Sequence, residues 1–191
     1  MATDWSRDGR FILAVRGEIV SRNRGEIWVL PTSRDGKPRI FIRAPGAAYG
    51  GQFSPNGHWV AYVSRESGRE EVYVAPFDGN QVLNTEPLHE VEIARKWQVS
   101  AKGGAFPRWR RDGQELFYVG AGNEFMATKI QAQGNVFSVG EAKSLFRESL
   151  ADAASPYDVS SDGQHFVVNS FGETQTLPLT LVENWKEFLK K

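Results

Sequence analysis

No cysteine occurs among the 191 residues, which excludes disulfides, thiolate metal sites and cysteine nucleophiles. Histidine is nearly absent: His58, His89 and His165 are all there are, and they lack metal-ligand spacing. Exposed strand positions are the expectation for them. No apolar run approaches the ~20 residues of a membrane-spanning helix, so no membrane insertion is expected. Residues 1–15 lack the basic-then-apolar order of a signal peptide. Formal net charge is +0, so no bulk field recruits nucleic acid or an acidic membrane. Three catalytic patterns are missing too: the phosphate-binding Gly-x-x-x-x-Gly-Lys-Ser/Thr loop, the Gly-x-Ser-x-Gly elbow and the kinase signatures. The expectation is a chain that is no enzyme by itself and uses no metal or cofactor.

What is present is β-forming. Hydrophobic residues make up 40 %, with 6 Trp, 12 Phe and 19 Gly, a composition of many short strands in a globular protein. The chain is organised around residues 51–79. There Ser54-Pro55-Asn56-Gly57 suits a type I turn closed by a left-handed glycine, between apolar strands. The motif occurs four times, as Trp5-Ser6-Arg7-Asp8-Gly9, Phe53-Ser54-Pro55-Asn56-Gly57, Trp109-Arg110-Arg111-Asp112-Gly113 and Val159-Ser160-Ser161-Asp162-Gly163. Its closing glycines fall at 9, 57, 113 and 163.

A period near fifty, with several short strands per unit, predicts an all-β chain, a β-propeller of four recognisable blades. Strands are expected after each turn at Phe11–Val15, Trp59–Val63, Glu115–Val119 and His165–Asn169. Third strands are expected at Glu26–Leu30, Glu71–Ala75, Glu124–Ile130 and Leu177–Val182. Fourth strands appear only at Arg39–Arg43, Trp97–Ser100 and Ala142–Phe146, so about fifteen strands are expected and the last blade is one short. The alternative is a β-sandwich with coincidental Asp-Gly turns, but four copies in one strand order favour the propeller. Blades are expected at about 1–46, 47–103, 104–150 and 151–183 of a single domain, with a helix only at 184–191, capped by Asn184. The insertion Asn80–Arg95 lengthens the second unit, and the sequence leaves open whether it folds over the blade side or extends a contact surface.

The turn resembles the Ser-Pro-Asp-Gly turn of the TolB-like, WD-like propeller repeat. Arg7, Arg111 and Ser161 replace its proline, and Arg110 its serine. Val72-Tyr73-Val74-Ala75-Pro76-Phe77, Lys96-Trp97-Gln98-Val99-Ser100, Pro107-Arg108-Trp109, Tyr157-Asp158-Val159-Ser160 and Leu181-Val182-Glu183-Asn184-Trp185 resemble a narrower group. That group is the C-terminal propeller of bacterial serine/threonine kinases and related sensor proteins. The resemblance covers nearly the whole chain except residues 80–95. It implies binding of a protein, peptide or small ligand, and a periplasmic or extracytoplasmic setting. Similar propellers accompany prolyl oligopeptidase-like hydrolases and form oligogalacturonate lyases, which are the enzymatic alternatives.

The first strand of each unit is expected to lie innermost. One position before each repeated apolar residue stand Asp4, Gln52, Arg108 and Asp158, which strand alternation turns away from Trp5, Phe53, Trp109 and Val159. They are candidates to line a channel mouth, or to pair by an Arg108–carboxylate bridge. Tyr49, Phe106 and Tyr157 lie in the entering loops and offer aromatic contacts to a partner. Asp8, Asp112 and Asp162 resemble a calcium set, but each is expected to hydrogen-bond its own turn. Arg108-Trp109-Arg110-Arg111 has the look of a nucleic-acid stacking patch, yet Trp109 aligns with Trp5, Phe53 and Val159 as a repeated core position. Residues 1–191 read as part of a longer propeller or a self-associating half, with a homodimer joining unit one to unit four of another copy as the expectation.

Overall fold

One turn, built four times, sets the course of the chain. In the computed structural model, residues 1–18, 24–93, 95–133, 136–151, 153, 155–170 and 179–182 are described. The amide of Ser6 donates to Phe11 O at 2.8 Å, and Gly9 closes the turn on Ser6 O at 2.8 Å. Ser54 with Trp59 and Gly57, Arg110 with Glu115 and Gly113, and Ser160 with His165 and Gly163 repeat the pattern at 2.8–2.9 Å. The four glycines take φ of +72 to +74°, where a side chain would be strained.

The polar residues of each turn close on themselves. Ser6 Oγ donates to Asp8 Oδ1 at 2.6 Å, and that oxygen also accepts from Arg10 N. Asn56 makes the same pair of contacts with Ser54 Oγ and His58 N, and Asp162 with Ser160 Oγ and Gln164 N. In the third turn Arg110 replaces the serine, and its guanidinium donates to Asp112 at 2.7 and 2.8 Å and to Glu115 at 2.9 Å. The turn aspartates are engaged locally, as expected of Asx turns.

Among the described residues, fifteen strands follow from these turns. The first sheet orders β1 (Ala2–Trp5), β2 (Phe11–Glu18), β3 (Arg24–Pro31) and β4 (Arg39–Arg43). The second orders β5 (Ala48–Phe53), β6 (Trp59–Ser64), β7 (Glu71–Pro76) and β8 (Trp97–Gln98). The third is β9 (Ala105–Trp109), β10 (Glu115–Val119), β11 (Glu124–Gln133) and β12 (Val136–Arg147). The fourth has three strands, β13 (Tyr157–Val159), β14 (Phe166–Asn169) and β15 (Leu179–Val182). Sequential antiparallel meanders of this kind are propeller blades, and the all-β propeller expectation holds. The expected terminal helix at 184–191 lies outside the described residues.

The packing divides the chain into two compact units, Met1–Pro107 and Arg108–Lys191. In the first unit, Phe11, Leu13, Ile27, Val29 and Phe41 from one face of blade one meet Phe53, Val60, Tyr62, Tyr73 and Ala75 of blade two in one core. Phe77 is its hub, edge-on to Phe11, Phe41 and Phe53 at 5.2, 5.5 and 4.9 Å. Gly51 makes the close approach of the two blades, since a Cβ there would stand 3.2 Å from Leu13 Cδ1.

The insertion takes a definite role. Asp78 caps a short helix, α1 (Gly79–Asn84), so a helix stands here where the sequence pattern gave none. Val82 and Val91 are buried in the core shared by blades one and two. Ile40 N donates to His89 O at 3.0 Å, and Val91 N donates to Ile40 O at 2.7 Å, so the segment runs along the outer strand β4 of blade one. An edge that would otherwise face solvent is thereby covered.

In the second unit Phe166 gathers Phe117, Phe125 and Phe146 at 5.1–5.9 Å, with Tyr157 alongside at 6.2 Å. The repeated apolar position before each turn is not uniformly core. Phe53 is buried and Trp109 and Val159 are half-buried, but Trp5 is 60 % exposed. Strand alternation turns Trp5 to the face of blade one opposite the shared core.

Candidate functional site at the inner strands

The four polar positions sit on the first strands, as the repeat places them, and they join strands in pairs. In the first unit, Asp4 Oδ2 accepts from Phe53 N at 2.7 Å, and Gln52 Nε2 donates to Thr3 O at 3.0 Å. Both side chains thus fasten β1 to β5. In the second unit, Arg108 Nη2 donates to Ser155 Oγ at 2.6 Å, and Arg108 Nε lies 3.9 Å from Asp158 Oδ1. The Arg108 side chain is 15 % exposed and that of Asp158 is 81 % exposed. Asp158 also accepts from Val159 N at 2.8 Å. Arg108 is held and Asp158 faces solvent.

The aromatic candidates divide. Tyr157 is buried against Phe125 and Phe166, with the Arg108 guanidinium 5.7 Å from its ring centroid. Burial pushes its hydroxyl pKa well above the ordinary tyrosine value. The ring is a floor beneath Arg108 and does not face an open mouth. Tyr49 and Phe106 are half-buried.

Phe106 has an unusual backbone, with φ at +54°. Counting from the closing glycines 57 and 113, its equivalent in blade two is Gly50, whose φ is +65°. Blades two and three share a left-handed backbone here, whereas Ala2 and Pro156, at the same count in blades one and four, do not. Blade two has glycine there, while blade three holds a phenylalanine, a strain of about 1–3 kcal/mol. Sequence reading placed Phe106 among the candidates for its ring and missed the strain. The sequence carried no signal for it, because the same count gives Ala2 and Pro156 in blades one and four.

Two other features escaped sequence reading. Glu71 is fully buried, accepts from Arg69 Nε at 2.5 Å, from Gly103 N at 3.0 Å and from the Ser100 hydroxyl, and ties β7 to the strand-end loop. A groove of about 620 Å³ lies on blade one, floored by Trp28 and Ile40 and walled by Arg16, Arg43 and Leu88. The Arg16 guanidinium lies 5.1 Å from the Trp28 ring centroid. Among the described residues, no group of three or more histidines, aspartates or glutamates is arranged to hold a metal. Of the histidines, His58 and His89 are exposed and His165 is half-buried. No helix among the described residues is long and apolar enough to cross a membrane.

No family model matches the chain, and no curated protein matches it. Solved structures do. TolB from Acinetobacter baumannii superposes with a TM-score of 0.60 at 17 % identity, over 95 % of this chain and 40 % of that one. A puromycin-hydrolyzing peptidase of Mycobacterium tuberculosis gives 0.56 at 16 % identity, over 86 % of this chain and 27 % of its own. The periplasmic gluconolactonase PpgL of Pseudomonas aeruginosa gives 0.52 at 17 % identity, over 94 % and 55 %. This chain therefore spans well under two thirds of each. The likeness establishes a TolB-like β-propeller fold, shared by proteins named as enzymes and by others that are not.

Proposed function

We propose that this chain is a non-catalytic binding module, its four blades belonging to one propeller domain that captures a protein or peptide at the rim of its inner strands. The carrying observation is Phe106. A half-buried aromatic occupies a left-handed position that glycine fills in blade two. Strain of that kind is retained where a side chain has work to do. Two residues along the same strand stands Arg108, with Asp158 exposed beside it. An aromatic ring next to a held guanidinium and a solvent-facing carboxylate suits a short peptide with one apolar and one basic side chain. Asp4, Gln52 and Tyr49 give the corresponding rim of the first unit. Self-association of the chain belongs to the same reading.

Selection of a random displayed peptide library on the immobilised chain tests it. Enriched peptides are expected to lose about tenfold or more in affinity, the size of a lost interface anchor, on Phe106→Gly and on Asp158→Ala. Phe106→Gly is at the same time expected to raise thermal stability, because it relieves the backbone. No enrichment, or peptides indifferent to both changes, sinks the proposal. Turnover in a broad hydrolase and lyase screen, abolished by one point change, would replace it with the enzymatic reading that the peptidase and lactonase folds keep open.

A further inference from the structure

A glutamate recurs near the start of the third strand in blades one to three. Glu26, Glu71 and Glu124 stand opposite Arg16, Ser64 and Gly120, each the seventh residue after a closing glycine. Glu26 accepts from Arg43 Nε of β4 at 2.7 Å, and Glu124 accepts from Ser144 Oγ of β12 at 2.6 Å. Both are half-buried, and each fastens the third strand of its blade to the fourth. Glu71 departs from this pattern twice. It is fully buried, and its contacts from Ser100 and Gly103 lie beyond the fourth strand β8, in the segment that enters β9.

That segment is held along its length. Val99 N donates to Val72 O at 2.8 Å, and Gly104 N donates to Glu70 O at 2.9 Å. The Ser100 hydroxyl donates to Glu71 Oε2 and accepts from Val72 N at 2.8 Å. Gly103 N donates to Glu71 Oε1 at 3.0 Å. Arg69 Nε donates to the same oxygen, while its Nη2 reaches Ala101 O at 2.5 Å. A side chain at Gly104 would run into Ser100. Two residues past this clamp comes Phe106, at φ of +54°. All these residues lie in the unit Met1–Pro107.

A fully buried carboxylate is costly, and well-packed apolar residues often serve stability as well or better. Stability alone therefore does not account for Glu71. A left-handed residue other than glycine persists only where its surroundings over-determine it. The clamp does this from the side by which the chain arrives. We infer that Glu71 is a positioning residue for the rim. Through Ser100 and Gly103 it fixes the approach to β9, and so keeps Phe106 in the conformation that presents its ring to a peptide. Glu71 itself touches no ligand. Its role rests on the peptide-capturing rim proposed above, and supplies what pre-organises that rim.

Glu71→Gln and the milder Ser100→Ala test it, with circular dichroism confirming that each variant is folded. The HN–Hα coupling of Phe106, read by NMR, is expected to move from its left-handed value toward that of an extended strand in both. The couplings of Tyr62 and Val63 in β6 are expected to stay where they are. Peptides enriched on the rim are expected to bind about tenfold more weakly, in proportion to the lost fraction of competent rim. In a Phe106→Gly background the same two changes are expected to alter affinity by less than about twofold, since nothing is left to position. A Phe106 coupling that keeps its wild-type value in both variants overturns the inference, and so does one that shifts together with those of β6. Equal affinity losses with and without Phe106 overturn it as well. Should no peptide be enriched at all, the rim proposal falls, while the Phe106 coupling still decides whether Glu71 holds that residue.

Discussion

Arg39 stands on the outer strand of blade one, yet its guanidinium Nε donates to the carbonyl of Thr85, 46 residues further along, at 2.9 Å. Nη2 reaches Leu83 O at 3.3 Å, and Nη1 donates to Lys37 O. The side chain is largely buried and acts as a clasp between β4 and the end of α1. Arg39→Ala removes three part-buried hydrogen bonds to backbone carbonyls, at about 0.5–1.5 kcal/mol each. The expected signature is a lower urea midpoint, with faster amide exchange at Ile40 and Val91.

Phe77 packs three phenylalanine rings from both blades of the first unit. Phe77→Ala is expected to lower stability by about 3–5 kcal/mol through the cavity it leaves. Phe77→Leu keeps most of the volume and is expected to lower it by under about 1.5 kcal/mol. Paired denaturant titrations check the ratio, and equal losses would mean that the ring contacts matter more than the volume.

The turn carboxylates set an acid limit. The Ser6 hydroxyl and the Arg10 amide hold Asp8 below the ordinary aspartate value of 3.8. Arg110 does so for Asp112, and the Ser160 hydroxyl for Asp162. A folded pKa below the unfolded one gives stability that is full above the unfolded value and is lost as pH falls through the folded value. Asn56 occupies the same place in blade two with the same two contacts and no charge. The triple variant Asp8→Asn, Asp112→Asn, Asp162→Asn is therefore expected to flatten the acid limb of a stability–pH curve. An unchanged limb would assign acid sensitivity elsewhere.

Glu71 and Arg69 are unequal partners. Glu71 is fully buried while the Arg69 side chain is 61 % exposed. Glu71→Leu strands the Gly103 amide and the Ser100 hydroxyl, at about 1–3 kcal/mol each. Arg69→Ala removes the cation beside the buried Glu71 carboxylate, leaving it to the Gly103 amide and the Ser100 hydroxyl, and is expected to lower stability by about 3–5 kcal/mol. Melting curves of the two single variants give the comparison.

The blades were legible because each rests on local chemistry. A turn such as Ser6-Arg7-Asp8-Gly9 closes through bonds among its own residues, so four copies announce four hairpins. The strand assignments at Phe11, Trp59 and Glu115 match their first residues. What failed to show were facts of tertiary context. Nothing near Trp5 in the sequence separates it from Phe53, and only the fold shows one exposed and the other buried. The insertion lacked a signal because Val82, Val91 and Arg39 meet through the fold. The placement of Asp4, Gln52, Arg108 and Asp158 on the first strands was readable from the repeat. The strain at Phe106 appears only once backbone angles are known, since the same count holds Ala2, Gly50 and Pro156 in the other blades.

The clasp at Arg39 also imposes an order in time. A nascent chain presents β4 to solvent before residues 79–91 have left the ribosome. At ordinary rates of synthesis, about 5–20 residues per second, the wait between Arg39 and Thr85 is on the order of 2–9 seconds. Through that interval blade one carries an open apolar edge at Ile40, Phe41 and Ile42, the kind of strand that pairs with a neighbouring chain. Polysomes bring such neighbours close together, so the vulnerable moment of this protein falls during its translation, and slowing elongation between codons 43 and 79 would lengthen it.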